Sequence, residues 1–474
     1  MSEARVYEPV IGIEIHVQLR TRTKMFCGCA NEFGAPPNTL TCPTCLALPG
    51  TLPVLNAEAV HLALMIAMAF DCTPAERSIF HRKNYFYPDS PKAYQISQYD
   101  FPLARAGHLG DVRIHRVHME EDAAKLVHAG ASGRIQGAER SVVDFNRAGT
   151  PLVEIVTEPD LSSAAEAAEF GRLLQATLRR MGVSDVNMEE GSLRMDANVS
   201  IRPAGEATLG TKTELKNMNS FRFLERGIVA EIERQEAILR EGGEIEQETL
   251  HFDPRSGSLS SLRSKEEAHD YRYFPEPDLV PLAPTETMLT RAREALPELP
   301  AARAERLERE LGIAAAGARL LAFRAELGDL LEAAVAAGGA EPRSLANWIV
   351  NEVAARVGDA ELADTRLEPA ALARLVAMVE ADEVAQSAAK EVLGVLVESG
   401  GDPDAIVEAR GLGRAGSDEL EQIVERAMTE NADAVEKIRA GNDKAIGAVV
   451  GAVMRETKGR ADGGEVQRMI RERV

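Results

Sequence analysis

The sequence predicts an α+β protein: a first domain of mixed strands and helices, followed by two all-α domains. Three observations support this prediction. Short runs that alternate apolar and polar residues, separated by turn signals such as Pro36-Pro37, dominate the first 290 or so residues. These runs do not alternate regularly with helices, as the strands of a doubly wound sheet would. Beyond residue 300 the sequence is rich in alanine, and its apolar residues recur at helical spacing.

Prolines mark the end of the first domain, which we place at residue 292. Six of them fall within 26 positions, where no long helix can run: Pro275, Pro277, Pro281, Pro284, Pro297 and Pro300. Of the 105 residues from 301 to 405, 28 are alanine, which predicts a helical domain over 293–405. The sequence Gly400-Gly401-Asp402-Pro403 interrupts the helical pattern, so residues 406–474 are predicted to form a separate helical tail domain.

The charge balance limits the partners that the chain can have. The 474 residues include 54 Lys or Arg against 75 Asp or Glu, a net charge of −21, which excludes an overall basic coat for nucleic acid. The tail, 406–474, holds 12 basic and 13 acidic residues and is therefore the least repulsive surface for a polyanion. An ordinary solvated helical face is the alternative. With no apolar run of 18 residues and no signal-peptide pattern, the sequence predicts a cytoplasmic protein.

Four of the five cysteines fall within 19 residues and predict a zinc-binding insertion at 27–45. Cys27 and Cys29 form one close pair, Cys42 and Cys45 form another, and twelve residues lie between the pairs, which is the spacing of a four-sulfur zinc site. Four thiolates leave no open coordination position, so the zinc is predicted to be structural. The alternative is a redox dithiol at Cys42 and Cys45 alone.

An alternating segment near the N-terminus is the first candidate for catalytic chemistry. As a strand, residues 10–19 place Glu14, His16 and Gln18 on one face and the apolar residues in the core. A carboxylate and an imidazole two residues apart on a strand can share a cation. A solvated polar strand face is the alternative.

Further acidic segments strengthen the cation hypothesis. Glu154 stands in an otherwise apolar run, where an unpaired charge is costly, and acids crowd together at Glu120-Glu121-Asp122. Asp196 lies on one face of another alternating run, over residues 193–202. Acids aligned on an antiparallel sheet suit Mg²⁺ with a nucleotide phosphate.

Candidate phosphate-binding residues are present, although the sequence contains no P-loop. Lys212, Glu214 and Lys216 alternate on one face, and Arg263 lies in a short polar run. These side chains could hold a nucleotide through their charges, or they could form ordinary surface ion pairs.

Several long motifs together resemble one family, the B subunits of the bacterial aspartyl/glutamyl-tRNA amidotransferases. The resemblance spans essentially the whole chain. Besides the cysteine cluster, the matching runs are IGIEIH (11–16), HRKNYFYPD (81–89), GTPLVE (149–154), EGSLRMDAN (190–198), HDYRYFPEPDL (269–279) and GNDKAIG (441–447).

The resemblance implies an enzyme, a carbon-nitrogen ligase that repairs misacylated tRNA with glutamine as the nitrogen donor. ATP would activate the side-chain carboxylate of Glu-tRNA(Gln) or Asp-tRNA(Asn) as an acyl phosphate, which ammonia would attack. The implied architecture is a cradle-shaped catalytic domain similar to glutamine synthetase, built on an antiparallel sheet, with a helical domain and a tRNA-contacting tail. The implied partners, in a heterotrimer, are a glutamine-hydrolysing amidase subunit and a small clamp subunit.

The resemblance also suggests roles for particular residues. His16, Glu121 and Glu154 look like ligands of one Mg²⁺, and Glu14 and Asp196 are candidates for another. Because imidazole is an unusual ligand for Mg²⁺, Mn²⁺ is an alternative metal.

Two lysines and one insertion complete the comparison with the family. Lys83 and Lys92 look like part of an ammonia channel from the amidase subunit, with ordinary salt bridges as the alternative. The stretch 130–137 is longer than the usual family pattern and is predicted to extend a hairpin. No Ser-x-Ser-Lys amidase motif was found, so the chain is not expected to hydrolyse glutamine alone.

Two other functions remain open at the level of sequence. One is a glutamine-synthetase-like ligase acting on a small carboxylate, although such a substrate needs no distant helical arm. The other is a non-catalytic, zinc-stabilised RNA-binding module, although acid-lined strands repel phosphate unless a cation intervenes. Whether the physiological product is Asn-tRNA, Gln-tRNA or both depends on which synthetases mischarge tRNA.

Overall fold

The structure is a computed structural model that describes residues 6–129, 138–264, 271–358, 362–413, 417–440, 442–457, 461 and 463–474. The predicted extension at 130–137 lies outside these residues, and only the backbone of Arg263 is described. The chain divides into two compact units, one ending at Leu299 and one beginning at Pro300. The domain boundaries at 292 and 405 remain predictions.

The first unit is α+β, which confirms the predicted fold class. Its described strands are β1 (Tyr7–Gln18), β2 (Thr73–Pro74), β3 (His81–Asn84), β4 (Tyr94–Ser97), β5 (Ala104–Leu109), β6 (Val112–Glu121), β7 (Lys125–Ala129), β8 (Arg140–Asp144), β9 (Pro151–Thr157), β10 (Leu193–Pro203), β11 (Thr213–Met218), β12 (Glu248–Asp253), β13 (Ser258–Ser264) and β14 (Phe274–Pro275). Its described α-helices are α1 (Ala57–Ala69), α2 (Ala164–Met181), α3 (Phe221–Arg240) and α4 (Glu286–Glu294).

A nine-stranded sheet forms the centre of this unit, in the order β13-β12-β11-β10-β1-β9-β6-β5-β2. Its strand pairs are antiparallel, as predicted, except that β11 and β12 run parallel. The helix α3 lies between these two strands in sequence and carries the chain back across the sheet, which is the connection that a parallel pair requires. The sheet is therefore mixed, with β11 and β12 as the one parallel pair among the described strands.

The alternation in β1 divides the sheet into an apolar face and a polar face. Ile13, Ile15 and Val17 are buried in one hydrophobic core with residues of α1, α2 and α3. The side chains of Glu14 and His16 therefore point away from these helices, because successive strand residues face opposite sides. This division confirms the predicted strand pattern and leaves a polar face available for chemistry.

Two smaller sheets accompany the large one. The strands β14, β3 and β4 form a three-stranded sheet that carries Lys83. The strands β7 and β8 pair antiparallel on either side of residues 130–137.

In the second unit the described residues form helices joined by short loops, with one isolated β-bridge between Val384 and Gly413. Its α-helices are α5 (Pro300–Leu311), α6 (Ala315–Phe323), α7 (Ala325–Ala337), α8 (Pro342–Trp348), α9 (Ala354–Val357), α10 (Pro369–Glu380), α11 (Gln386–Ser399), α12 (Pro403–Arg410), α13 (Ser417–Glu430), α14 (Ala432–Arg439), α15 (Ile446–Glu456) and α16 (Gly463–Arg473). A π-helical turn (Ile349–Val353) joins α8 to α9, and short 3₁₀ turns cover Leu362–Asp364 and Asp443–Ala445.

Two hydrophobic clusters lie inside the second unit. One contains buried residues between Ala304 and Leu412, and the other contains buried residues between Leu420 and Ile470. Within the described parts of the chain, no helix is both long enough and apolar enough to cross a membrane.

Candidate functional site

The polar face of the large sheet opens into a cavity of about 640 Å³. It is lined by residues from β1, β3, β4, β6, β7, β9, β10 and β11 and from the loops beside them. Its charged lining includes His16, Lys83, Asp89, Lys92, Glu120, Glu121, Asp122, Lys125, Glu189, Glu190, Arg194, Asp196 and Lys216. The cavity thus brings several acids and several cations to one place.

A compact group of one histidine and two carboxylates lies beside this cavity. Strand pairing places His16 of β1 opposite Glu154 of β9, and Glu154 opposite His118 of β6. The Nε2 atom of His16 lies 3.4 Å from a carboxylate oxygen of Glu154 and 3.5 Å from one of Glu120. The candidate ligand atoms of His16, Glu120 and Glu154 all lie within 4.8 Å of one another, so one divalent cation could contact all three.

The histidines and carboxylates of this group stabilise each other's charges. Burial alone would raise the pKa of Glu154, but the adjacent His118 and His16 hold it well below its ordinary value. Burial alone would lower the pKa of His16, but the hydrogen bond and charge of Glu154, together with the charge of Glu120, raise it. The carboxylate of Glu154 therefore stays ionised and attracts positive charge.

Glu121, the ligand suggested by the family resemblance, makes different contacts. The Nζ atom of Lys92 lies 2.6 Å from each of its carboxylate oxygens, and the backbone N–H of Ile96 donates to it at 3.2 Å. Glu121 lines the cavity, but it is Glu120 that joins His16 and Glu154. The alternation of β6 could have indicated this, because Glu120 is two residues from His118, the partner of Glu154.

A second ionic network surrounds Asp122, which was not among the predicted site residues. One of its oxygens accepts hydrogen bonds from Gln18 at 2.7 Å and from Arg194 at 2.9 Å, and Arg147 lies 3.7 Å away. Burial alone would raise the pKa of Asp122, but Arg194 and Arg147 hold it below its ordinary value. The alternation of β10 puts Arg194 on the same face as Asp196, two residues away, and this was the available signal.

Glu14 and Asp196 face each other across β1 and β10. Asn198 donates a hydrogen bond to Glu14 at 2.8 Å. Lys216 lies between two acids, with its Nζ atom 3.3 Å from an oxygen of Asp196 and 3.3 Å from one of Glu214. Burial alone would lower the pKa of Lys216, but Asp196 and the acids beside it raise it, so the ammonium stays charged.

The other two predicted phosphate-binding residues lie elsewhere. Lys212 lines a smaller cavity of about 230 Å³ to which Glu14 also contributes. Arg263 is in β13, where its backbone pairs with Thr249 of β12.

Lys83 and Lys92, the two predicted channel residues, both line the large cavity. The Nζ atom of Lys83 lies 4.8 Å from the centre of the Tyr271 ring, a cation–π contact. Burial alone would lower the pKa of Lys83, but nearby groups, Tyr273 first and then Glu120, raise it. Both lysines thus bring positive charge to the wall of a cavity that also contains many acids.

The four clustered cysteines come together as their spacing predicts. The sulfur atoms of Cys27, Cys29, Cys42 and Cys45 all lie within 4.8 Å of one another. A tetrahedral zinc ion bound at about 2.3 Å would need sulfurs about 3.8 Å apart, so small shifts suffice to close the site. The hydrogen bond between Cys27 and Cys45 lowers the pKa of the Cys45 thiol to about 4 and raises the pKa of Cys27, so Cys45 is the thiolate of this pair and Cys27 the thiol. Metal binding would release the proton from Cys27. These four residues can hold a metal ion.

Comparisons with known proteins agree along the whole chain. Residues 9–290 match the family described as the GatB/GatE catalytic domain, and residues 329–474 match the family described as the GatB domain. The chain is 49% identical over 492 residues to the B subunit of the aspartyl/glutamyl-tRNA(Asn/Gln) amidotransferase of Thermobifida fusca, covering 99% of this chain and 94% of that protein. Proteins of the same name are 46% identical in Persephonella marina, covering 98% and 99%, and 50% identical in Frankia casuarinae, covering 99% and 96%.

Proposed function

Because this chain belongs to the family of aspartyl/glutamyl-tRNA(Asn/Gln) amidotransferase B subunits, we propose that it catalyses ATP-dependent transamidation of misacylated tRNA. Its substrates are Glu-tRNA(Gln) and Asp-tRNA(Asn), and its products are Gln-tRNA(Gln) and Asn-tRNA(Asn). In chemical terms the enzyme is a carbon-nitrogen ligase that uses glutamine as its nitrogen donor.

The observation that carries this proposal is the group formed by His16, Glu120 and Glu154 beside a cavity that also contains lysines. Transfer of a phosphoryl group to a carboxylate brings two anions together, and a site for this reaction needs positive charge held in a fixed geometry. Anionic ligands that hold a divalent cation, with ammonium groups nearby, meet this need.

The cation proposed here is Mg²⁺, with Mn²⁺ as the alternative that the imidazole allows. When bound, it would neutralise the developing charge on the transferred phosphoryl group. His16, Glu120 and Glu154 would hold it, and Glu14 with Asp196 would hold a second one. Glu121 remains a candidate ligand only if its carboxylate leaves Lys92.

In the first step, a side-chain carboxylate oxygen of the misacylated amino acid attacks the γ-phosphorus of ATP. The bond from that phosphorus to ADP breaks, and an acyl phosphate forms. Lys216 lines the cavity and is the proposed phosphate contact there, although its ammonium is paired with Asp196 and Glu214 in this structure. Lys212, Glu214 and Arg263 remain proposed nucleotide-binding residues.

In the second step, ammonia attacks the acyl carbon, phosphate leaves, and the nitrogen loses a proton to give the amide. We assign the supply of ammonia to a glutamine-hydrolysing amidase subunit, held to this chain by a small clamp subunit in a heterotrimer. Lys83 and Lys92 would line the last part of the ammonia path into the cavity. The four-cysteine cluster would hold a structural zinc ion.

The helical tail over 406–474 is proposed to contact the tRNA. Its charge is near neutral while the rest of the chain is acidic, so it repels a polyanion least. We expect the enzyme to act in the cytoplasm, together with its tRNA substrates.

The direct test is amidation by the reconstituted complex. With ATP, Mg²⁺ and glutamine, conversion of Glu-tRNA(Gln) to Gln-tRNA(Gln) is expected, and Glu154→Gln should lower the rate at least a hundredfold, because charge stabilisation is usually a large catalytic effect. Lys390→Met, at a half-buried lysine of the second unit, serves as the control variant and should keep the parental rate. Amidation of free glutamate instead of the charged tRNA would contradict the proposal, and so would tRNA binding that needs neither ATP nor metal and gives no turnover.

A further inference from the structure

Lys24 is a fully buried lysine that lies against the four-cysteine cluster. Its residue is 0% exposed, and its Nζ atom lies 3.8 Å from the sulfur of Cys45. The same ammonium donates a hydrogen bond to the backbone carbonyl of Phe145 at 3.2 Å. Lysines are almost never fully buried unless they are paired with an anion, so this position calls for a negative partner.

The cysteine cluster supplies that negative partner when it is metallated. Four thiolates around one divalent cation leave a net charge of about −2, which is costly to bury without compensation. An ammonium in contact with one of the sulfurs offsets part of this charge. This charge balance also explains why the cationic side chain of Lys24 is buried beside the cluster.

Gly149, which lines the large cavity, lies beside Lys24. A Cβ atom on Gly149 would lie 3.6 Å from the Lys24 side chain, 3.8 Å from that of Cys45 and 3.8 Å from a carboxylate oxygen of Glu121. The backbone of Gly149 accepts a hydrogen bond from Met25 and donates one to Asp122, so residues beside Lys24 are tied to the cavity wall. The peptide 145–149 thus lies between the cysteine cluster and the carboxylates.

We propose that Lys24 is the charge-balancing partner of the metal–thiolate centre and, through the Phe145 carbonyl, a positioning residue that links this centre to the cavity wall. The inference rests on the zinc site assigned under the proposed function. Outer-shell partners of metal ligands generally contribute about ten- to a hundredfold to metal affinity. A partner that directly offsets the charge of the thiolates is expected to contribute within this range.

The test compares zinc affinity in the full-length chain and in Lys24→Met and Lys24→Arg, with zinc release to a chelator and the absorption of the cobalt-substituted protein as readouts. Lys24→Met should weaken zinc binding at least tenfold, and Lys24→Arg should recover most of the loss because it restores the charge. Lys390→Met is the control: it removes a lysine of α11 that pairs with Glu352, far from Lys24 in sequence, and it should retain the parental zinc affinity.

Each alternative result decides the matter. Equal zinc affinity in the parent and Lys24→Met overturns the role of Lys24 while leaving the zinc site intact, whereas a parent chain without zinc overturns the zinc site itself. If Lys24→Met does not fold at any zinc concentration, but Lys24→Arg folds at the zinc concentration at which the parent chain folds, a positive charge at position 24 is required, as proposed. If both variants fail alike, shape and not charge explains the buried lysine, and the proposal is wrong.

Discussion

Replacing Lys92 by methionine removes the ammonium that holds Glu121 at the wall of the cavity. The side chains are 11% and 5% exposed, and the Nζ atom lies 2.6 Å from both carboxylate oxygens. Methionine retains most of the volume of lysine, so the main effect is to leave Glu121 as a buried carboxylate without its cation.

The expected loss of stability follows from this burial. Breaking one side of a buried ion pair generally costs about 3–5 kcal/mol, and we expect about 3 kcal/mol here, because Glu121 keeps the hydrogen bond from the Ile96 backbone. For a unit of this size, 1 kcal/mol corresponds to a shift of about 2 °C, so the Tm of the first unit should fall by about 6 °C.

The assay is differential scanning calorimetry of the full-length chain, which separates the unfolding of its two units. The double variant Lys92→Met/Glu121→Gln should recover at least half of the loss, because the buried charge is removed with its partner. A fall of less than about 1 °C in Lys92→Met, or a double variant no more stable than the single one, would refute the reasoning that the pair is buried and coupled.

Three further predictions concern the networks around the cavity. Arg194→Met should raise the pKa of Asp122, whose folded-state value lies below the ordinary one of about 4. The stability that Asp122 contributes is present above its ordinary pKa and is lost as the pH falls through the folded-state pKa, so the acid-unfolding midpoint of the variant should move to higher pH. Circular dichroism measures this midpoint, and an unchanged midpoint would argue against the pairing. Lys83→Ala should reduce glutamine-driven amidation at least tenfold more than ammonium-driven amidation in the reconstituted complex, if Lys83 lines an ammonia path; equal losses would count against that role. Cys42→Ser should lower zinc content, measured by elemental analysis, from about one ion per chain towards none, and unchanged content would rule out the four-sulfur site.

The features that the sequence predicted best are those that depend on local residue spacing. The spacing of Cys27, Cys29, Cys42 and Cys45 predicted their convergence, because two short loops bring close pairs together whatever the rest of the fold does. The alternation of β1 likewise predicted which of its residues are buried, since strand geometry fixes the face of each side chain.

The sequence predicted less well what depends on pairing between distant strands. The adjacent acids Glu120 and Glu121 cannot be told apart by composition, and only the register of β6 against β9 sends Glu120 to His16 while Lys92 takes Glu121. The network around Asp122 is of the same kind, because Gln18 and Arg194 come from strands far away in sequence. The parallel pairing of β11 with β12 could have been anticipated only by recognising α3 as a crossover helix.

The central claim is that the acid-lined cavity activates the side chain of an amino acid attached to tRNA, and tRNA-dependent ATP cleavage tests it most directly. The chain, reconstituted with its proposed partner subunits and Mg²⁺, would be given Glu-tRNA(Gln), correctly charged Gln-tRNA(Gln) or free glutamate, and ADP formation would be measured. We predict cleavage with Glu-tRNA(Gln) alone. Cleavage with free glutamate would contradict the claim and indicate a ligase for small carboxylates.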